Sequence, residues 1–135
     1  MSVIQVLYDS GVDGKLAWSG LEPITVEAGW PVAAKGRMAC WLEAMAWFVD
    51  QSGSLYSLDS RVLQVLTFIL ERERAYRTVE LLRDHGVSGD LFWLHDAGFF
   101  ARIWIGTGEA MSNATESWAE LESWLANRLE RREQT

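Results

Sequence analysis

Asp90-Leu91-Phe92-Trp93-Leu94-His95, then Asp96-Ala97-Gly98, then Phe99-Phe100-Ala101-Arg102-Ile103-Trp104-Ile105 is the stretch on which the fold turns. Two aromatic and β-branched runs separated by three turn-forming residues predict a β-hairpin at about 91–105, with Gly98 supplying the positive φ that such loops often require. Alternation sends Phe92, Leu94, Phe100 and Trp104 in different directions across the pair, so apolar groups are expected on both faces of the sheet. Either helices cover both faces or one face meets a partner.

Beyond the hairpin, Gly106-Thr107-Gly108 is expected to break the sheet, and Asn113-Ala114-Thr115-Glu116 has the pattern of a helix N-terminal cap. Trp118, Leu121, Leu125 and Leu129 then line one face of a helix at about 115–132, with Trp124 at its margin. Arg128, Arg131 and Arg132 suit the negative end of its dipole. Before the hairpin, Val62, Val65, Leu66, Ile69, Tyr76 and Val79 keep helical spacing and predict one long helix at about 60–85. Asp59 or Ser60 caps it and Gly86 ends it in the left-handed conformation. Its middle, Glu71-Arg72-Glu73-Arg74, must meet solvent.

Met38, Trp41, Leu42, Met45, Phe48 and Val49 predict a further helix at about 33–50, so apolar around its circumference that it should be largely buried. Gln51-Ser52-Gly53-Ser54 is expected to end it, and Leu55-Tyr56-Ser57-Leu58 to run extended. At the start, Val3-Ile4-Gln5-Val6-Leu7-Tyr8 predicts a strand that stops at the turn formers of residues 9–14. Leu16-Ala17-Trp18 and Ile24-Thr25-Val26-Glu27 predict two more, with Pro23 and Pro31 near their edges, where a missing donor is tolerated. The fold class is α+β: a small antiparallel or mixed sheet packed by three helices, with residues 1–135 forming a single globular domain.

Length agrees with one core, since 135 residues and 15.3 kDa are the size of one ordinary domain. Hydrophobic residues at 49% and charged residues at 23% exclude wholesale disorder. Met1-Ser2-Val3-Ile4-Gln5 lacks a basic secretory start, and no run reaches the roughly 20 apolar residues of a spanning helix. A cytoplasmic protein with no membrane contact is the expectation. Twelve basic against nineteen acidic residues give a net charge of −7, and the pI is about 4.8. Nucleic acid should be repelled, because phosphate binding needs a clustered basic surface and the arginines at 72–83 are interleaved with acids. A basic protein partner remains compatible with that charge.

Catalytic patterns fail one by one. Gly14-Lys15 precedes Leu16 rather than Ser or Thr, and the position five before Gly14 is Asp9, so there is no phosphate loop. His85 and His95 are the only imidazoles and Cys40 the only thiol, too few and too scattered to announce a metal site. Structural roles fit them better: His85 at a helix C-terminus, His95 beside Asp96 at the hairpin turn, Cys40 inert among alanines. No catalytic residue, metal or cofactor is expected.

The unusual feature is eight tryptophans. Trp41, Trp118 and one of Trp93 or Trp104 are expected in the core, since each ring buries roughly 150–250 Å². Trp47 falls opposite the Trp41-Leu42-Met45 stripe, and Trp18 and Trp30 adjoin turn residues, so these three are expected at the surface. The leading expectation is a non-enzymatic protein-interaction domain, a small acidic inhibitor, immunity-type or adaptor protein, or a self-associating one. Its anchors would be aromatic and rimmed by carboxylates. The alternative is a small-molecule-binding or enzymatic domain whose pocket lies between the hairpin and the 33–50 helix, lined by Trp93, His95, Arg102 and Trp104. Arg102 interrupts an apolar strand, so it either meets solvent or holds an anion.

Overall fold

Short apolar runs bounded by turn residues become strands wherever a neighbour satisfies their backbone. The computed structural model describes residues 2–72, 76–105, 108–112 and 114–133. Six strands, β1 (Gly14–Trp18), β2 (Ile24–Ala28), β3 (Ala34–Met38), β4 (Ser88–Leu94), β5 (Gly98–Ile105) and β6 (Gly108–Met111), form one open antiparallel sheet. Their order is β3-β2-β1-β4-β5-β6. The helices are α1 (Val3–Asp9), α2 (Trp41–Leu55), α3 (Ser60–Leu70), α4 (Tyr76–Asp84) and α5 (Trp118–Glu133). α2 packs on β2 and β3, α5 on β5, and the helices contact one another as a single layer. The architecture is α+β, a small sheet packed by helices on one face.

β1 and β4 meet at the middle of the sheet and are joined by two crossed pairs. Gly14 of β1 stands opposite Trp93 of β4, and Trp18 of β1 opposite Gly89 of β4. A Cβ on Gly14 would overlap the Trp93 ring, and one on Gly89 would come within 2.8 Å of the Trp18 ring. Each indole therefore occupies the space that its partner's missing side chain leaves open, a known way of supporting glycine in a strand. Trp93 Nε1–H donates to Val12 O and Trp18 Nε1–H to Val87 O, both at 2.9 Å. Leu16 and Leu91 face each other between the two pairs. With Val26, Phe48, Phe99 and Ile103 they belong to the core between sheet and helices.

Arg83 ties the opposite end together. Only 4% exposed, it donates to the carbonyls of Gly20, Leu21, Glu22 and Ala39 and to the Glu80 carboxylate. Glu80 also accepts from Trp41 N–H at the start of α2. A buried guanidinium with this many acceptors meets its desolvation cost and holds the β1–β2 loop, the β3–α2 junction and α4 in one arrangement.

Several sequence expectations change. Residues 3–8 form α1 rather than a strand: Ser2 accepts from Ile4 N–H, and Val3, Ile4 and Leu7 are buried together. A helix of seven residues is not stable alone, so packing against α2 and α3 decides this. The predicted 33–50 helix divides, because residues 34–38 pair with β2 as the edge strand β3. Gly36 permits this, since a Cβ there would come 3.1 Å from Trp47 Nε1. α2 then continues through residues 51–54, where Ser52 and Ser54 bond back to carbonyls of the preceding turn instead of breaking the helix. The predicted 60–85 helix is two helices, α3 and α4, and with α1 added the described residues form five helices rather than three. Glu73 and Arg74, in the expected solvent-facing middle, lie outside the described residues.

The Asp59 cap, the left-handed Gly86 and the hairpin with its positive-φ Gly98 are as predicted, but the hairpin loop is residues 95–97 rather than 96–98, because Gly98 pairs with Leu94 as the first residue of β5. β6 continues the sheet where a break was expected. Gly106, Thr107 and the cap candidate Asn113 lie outside the described residues, as do the side chains of Tyr76, Leu129, Arg131 and Arg132. Among the described residues no helix is long and apolar enough to cross a membrane.

Gly14→Ala should cost about 1–3 kcal/mol, the usual scale of overpacking, read as a lower urea midpoint at unchanged slope. An unchanged midpoint would show that Trp93 moves aside freely and that the crossed pairs do not hold the centre of the sheet.

Candidate functional site

Because successive side chains alternate, the burial of Leu16, Val26, Leu91 and Ile103 under the helices sends their neighbours to the other face. No described helix covers that face. The cross-strand register sorts its occupants into rows. One row runs Lys35, Glu27, Lys15, Phe92, Phe100 from β3 to β5. The next runs Arg37, Thr25, Ala17, Asp90, Arg102, Met111 from β3 to β6. A third sets Ser88 against Trp104 and Glu109.

An exposed antiparallel face is ordinarily polar. Here Phe92 and Phe100 stack with centroids 4.8 Å apart and planes at 11°. Arg102 places its guanidinium 4.7 Å from the centre of the Trp104 ring and donates to Asp90 Oδ2 at 2.7 Å. The Asp90 carboxylate is buried, and its hydrogen bond, followed by its charge, raises the Arg102 pKa further. Such a stacked and bridged cation is pre-ordered, so little freedom remains to be lost on contact.

At one end of the face a cavity of about 190 Å³ is bounded by Trp30, Phe92, Leu94, Asp13, Lys15 and Glu27, with the backbone of Gly14 and Gly29 between them. Trp30, on the β2–β3 loop, is 75% exposed. That loop is held by Gly29, which has φ +93° and leaves no room for a Cβ beside the Tyr56 hydroxyl. Burial, and then the Asp13 charge, raise the Tyr56 pKa. Two broader depressions lie along the same face, one reaching from Arg37 to Trp104 (about 330 Å³) and one over Thr25, Lys35 and Arg37 (about 400 Å³).

Beside the cavity, Asp13 Oδ1 accepts from the backbone N–H of His95 at 2.8 Å and from Nδ1 at 2.9 Å, while Nε2 lies 3.1 Å from Asp96 Oδ2. The imidazole pKa is raised by the Asp13 hydrogen bond first, then by the charges of Asp13 and Asp96, against a small desolvation effect. With both nitrogens engaged by carboxylates, His95 locks the β4–β5 turn to the start of β1. Among the described residues no group of three His, Cys, Asp or Glu side chains converges as a metal site.

Of the residues singled out in the sequence, Arg102 and Trp104 come together on the open face, and Trp30 and His95 flank the cavity. The others do not join them. Trp18 is 3% exposed and Trp93 fully buried, both on the helix side, where a bonded indole N–H completes the core. Trp47 is half-buried beneath β3 with its edge on Phe48, so it is a packing residue rather than a surface anchor. Trp41 and Trp118 are core, as predicted. The predicted pocket between the hairpin and α2 is displaced: Trp93 points away from Arg102 and Trp104, and the cavity lies on the sheet's other face. Phe92, Phe100, Lys15, Glu27 and Asp13 were missed as site residues. The observed loop is residues 95–97, one residue earlier than the predicted 96–98; pairing across the predicted loop sets Phe92 opposite Arg102, so the Phe92–Phe100 and Asp90–Arg102 pairs follow only from the observed register.

A comparison of the chain with protein-family models, curated proteins and solved structures finds no match in any of the three.

The raised His95 pKa implies stabilisation that is complete below the ordinary value of 6.5 and is lost as pH rises through the folded-state value. Melting temperatures of wild type and His95→Gln should therefore differ most near the acid side of neutrality and converge as the solution becomes alkaline. A difference that widened with rising pH would contradict the Asp13–His95 lock.

Proposed function

We propose that this protein is a non-enzymatic binding module that docks a protein partner on the open face of its sheet. The carrying observation is the set of aromatic side chains, Phe92, Phe100 and Trp104, on a sheet face that no described helix covers. Trp and Arg are the residue types most enriched where interfaces concentrate their energy, and Arg102 over Trp104 supplies both in a pre-ordered pair. The buried Asp90 keeps that arginine in place.

The cavity beside Trp30 supports the same reading by its size. Small-molecule sites usually enclose roughly 300–1,000 Å³, whereas about 190 Å³ suits one inserted side chain. A second reading, small-molecule binding at this cavity, is favoured by the convergence of Asp13, Lys15 and Glu27 on it. His95 gives little support to acid–base chemistry, because both of its ring nitrogens already face carboxylates.

Phe100→Ala and Trp104→Ala should each weaken a stoichiometric complex by about tenfold or more, the cost of losing an interface anchor, while the melting temperature stays within a few degrees. Parallel capture from the source cells with wild type and both variants reads this directly. A partner retained equally by all three proteins would remove the open face from consideration. Saturable quenching of tryptophan fluorescence by a small metabolite, with no protein captured, would favour the cavity reading instead.

A further inference from the structure

The β1–β3 half of the open face has the opposite charge sign to the molecule as a whole. The chain carries a net charge of −7, yet both of its lysines, Lys15 and Lys35, lie here together with Arg37. All three are exposed. Among the described residues no ion pair within 4.0 Å engages any of them. Glu27, between Lys15 and Lys35 in the cross-strand row, is the one carboxylate that β1, β2 and β3 themselves place on this half, with Asp13 and Glu22 at its margins and Asp13 engaged by His95. On the other half the balance reverses, because Arg102 is occupied by Asp90 and also feels Glu109.

We infer that the partner's contact segment is an acidic polypeptide carrying aromatic or aliphatic side chains; this rests on the open face being the docking surface. Its carboxylates meet Lys15, Lys35 and Arg37 while an apolar side chain packs on Phe92 and Phe100. Lys15 stands directly opposite Phe92, so the cationic and aromatic groups belong to one continuous row. With strands about 4.8 Å apart, the row from Lys35 to Phe100 spans roughly 19 Å, the reach of an extended segment of about six residues.

The net negative charge does not oppose this. At physiological ionic strength charges are screened over about 8 Å, so the groups at the contact govern complementarity, and the acids on the helices and loops count for less. A basic partner would instead have to set its cations against three cations that share one intervening carboxylate, Glu27. Single-stranded nucleic acid fits less well, since Glu27 interrupts the cations and Phe92 and Phe100 already stack on each other rather than offering separate platforms.

Fluorescence anisotropy tests this with three labelled probes: a random Glu–Tyr copolymer, a random Lys–Tyr copolymer and oligothymidylate. Wild type should bind the Glu–Tyr copolymer saturably and in preference to the other two, more weakly as salt rises. The doubly reversed Lys35→Glu, Arg37→Glu variant should lose about tenfold or more in affinity, and the neutral Lys35→Gln, Arg37→Gln variant an intermediate amount, with melting curves confirming that each is folded. Tighter binding of the Lys–Tyr copolymer or of oligothymidylate, or an affinity for Glu–Tyr unchanged by charge reversal, would overturn the acidic assignment. If Phe100→Ala still weakened binding while charge reversal did not, the docking surface would survive without its acidic partner. If neither change mattered, both would fall.

Discussion

Across the junction of β1 and β4 each strand offers a glycine to the other's tryptophan. Gly14 faces Trp93, Gly89 faces Trp18, and each indole N–H reaches a carbonyl just before the opposite strand begins. Strands roughly 75 residues apart in the chain have no short turn to set their alignment, so side-chain fit must do it. A slip of one residue would drive two indoles into positions with a Cβ and leave two carbonyls, those of Val12 and Val87, without their donors. The crossed pairs thus fix the parity of the whole sheet. That parity puts Leu16 and Leu91 under the helices and Lys15, Asp90 and Phe92 on the opposite face, Asp90 buried there against Arg102.

The helical layer follows from the same constraint. Once Trp18 and Trp93 commit one face to burial, α2 and α5 can cover it, and Arg83 with Glu80 pins α4 to the loops at the sheet's end. The other face is left with charged groups at β1–β3 and aromatic groups at β4 and β5. Aromatic rings on an uncovered sheet face contribute nothing to this core, and a cation bridged to a buried carboxylate costs desolvation that a purely structural face would avoid. These features are the ones on which the proposed docking surface rests.

Much of the architecture was legible because local chemistry and tertiary packing agree there. The hairpin turns through three residues just before the positive-φ Gly98, and the 60–70 helix starts at an aspartate whose carboxylate accepts from Arg61 N–H. Where local and tertiary preferences diverge, the sequence misleads. Val3, Ile4 and Val6 are good strand residues that become a helix because α2 and α3 bury their side. Ala34-Lys35-Gly36-Arg37-Met38 looks like a helix start but satisfies its backbone on β2. The site was legible in part: Arg102 was conspicuous as a cation in an apolar strand, and Trp104 as its neighbour. Trp18 and Trp47 misled, because adjacency to a turn or a position off the main helical stripe does not reveal what another element will bring to cover them.

Composition, periodicity and turn chemistry by themselves determined that this chain makes an α+β fold with a central aromatic hairpin and carries a net negative charge. Those properties depend on residues near one another in sequence. Only the tertiary structure decided which indoles are core and which side chains share the open face. It also decided that both lysines stand together there. Each of these outcomes depends on strand order and register between distant segments, and that is set by packing across the β1–β4 junction rather than by any local preference.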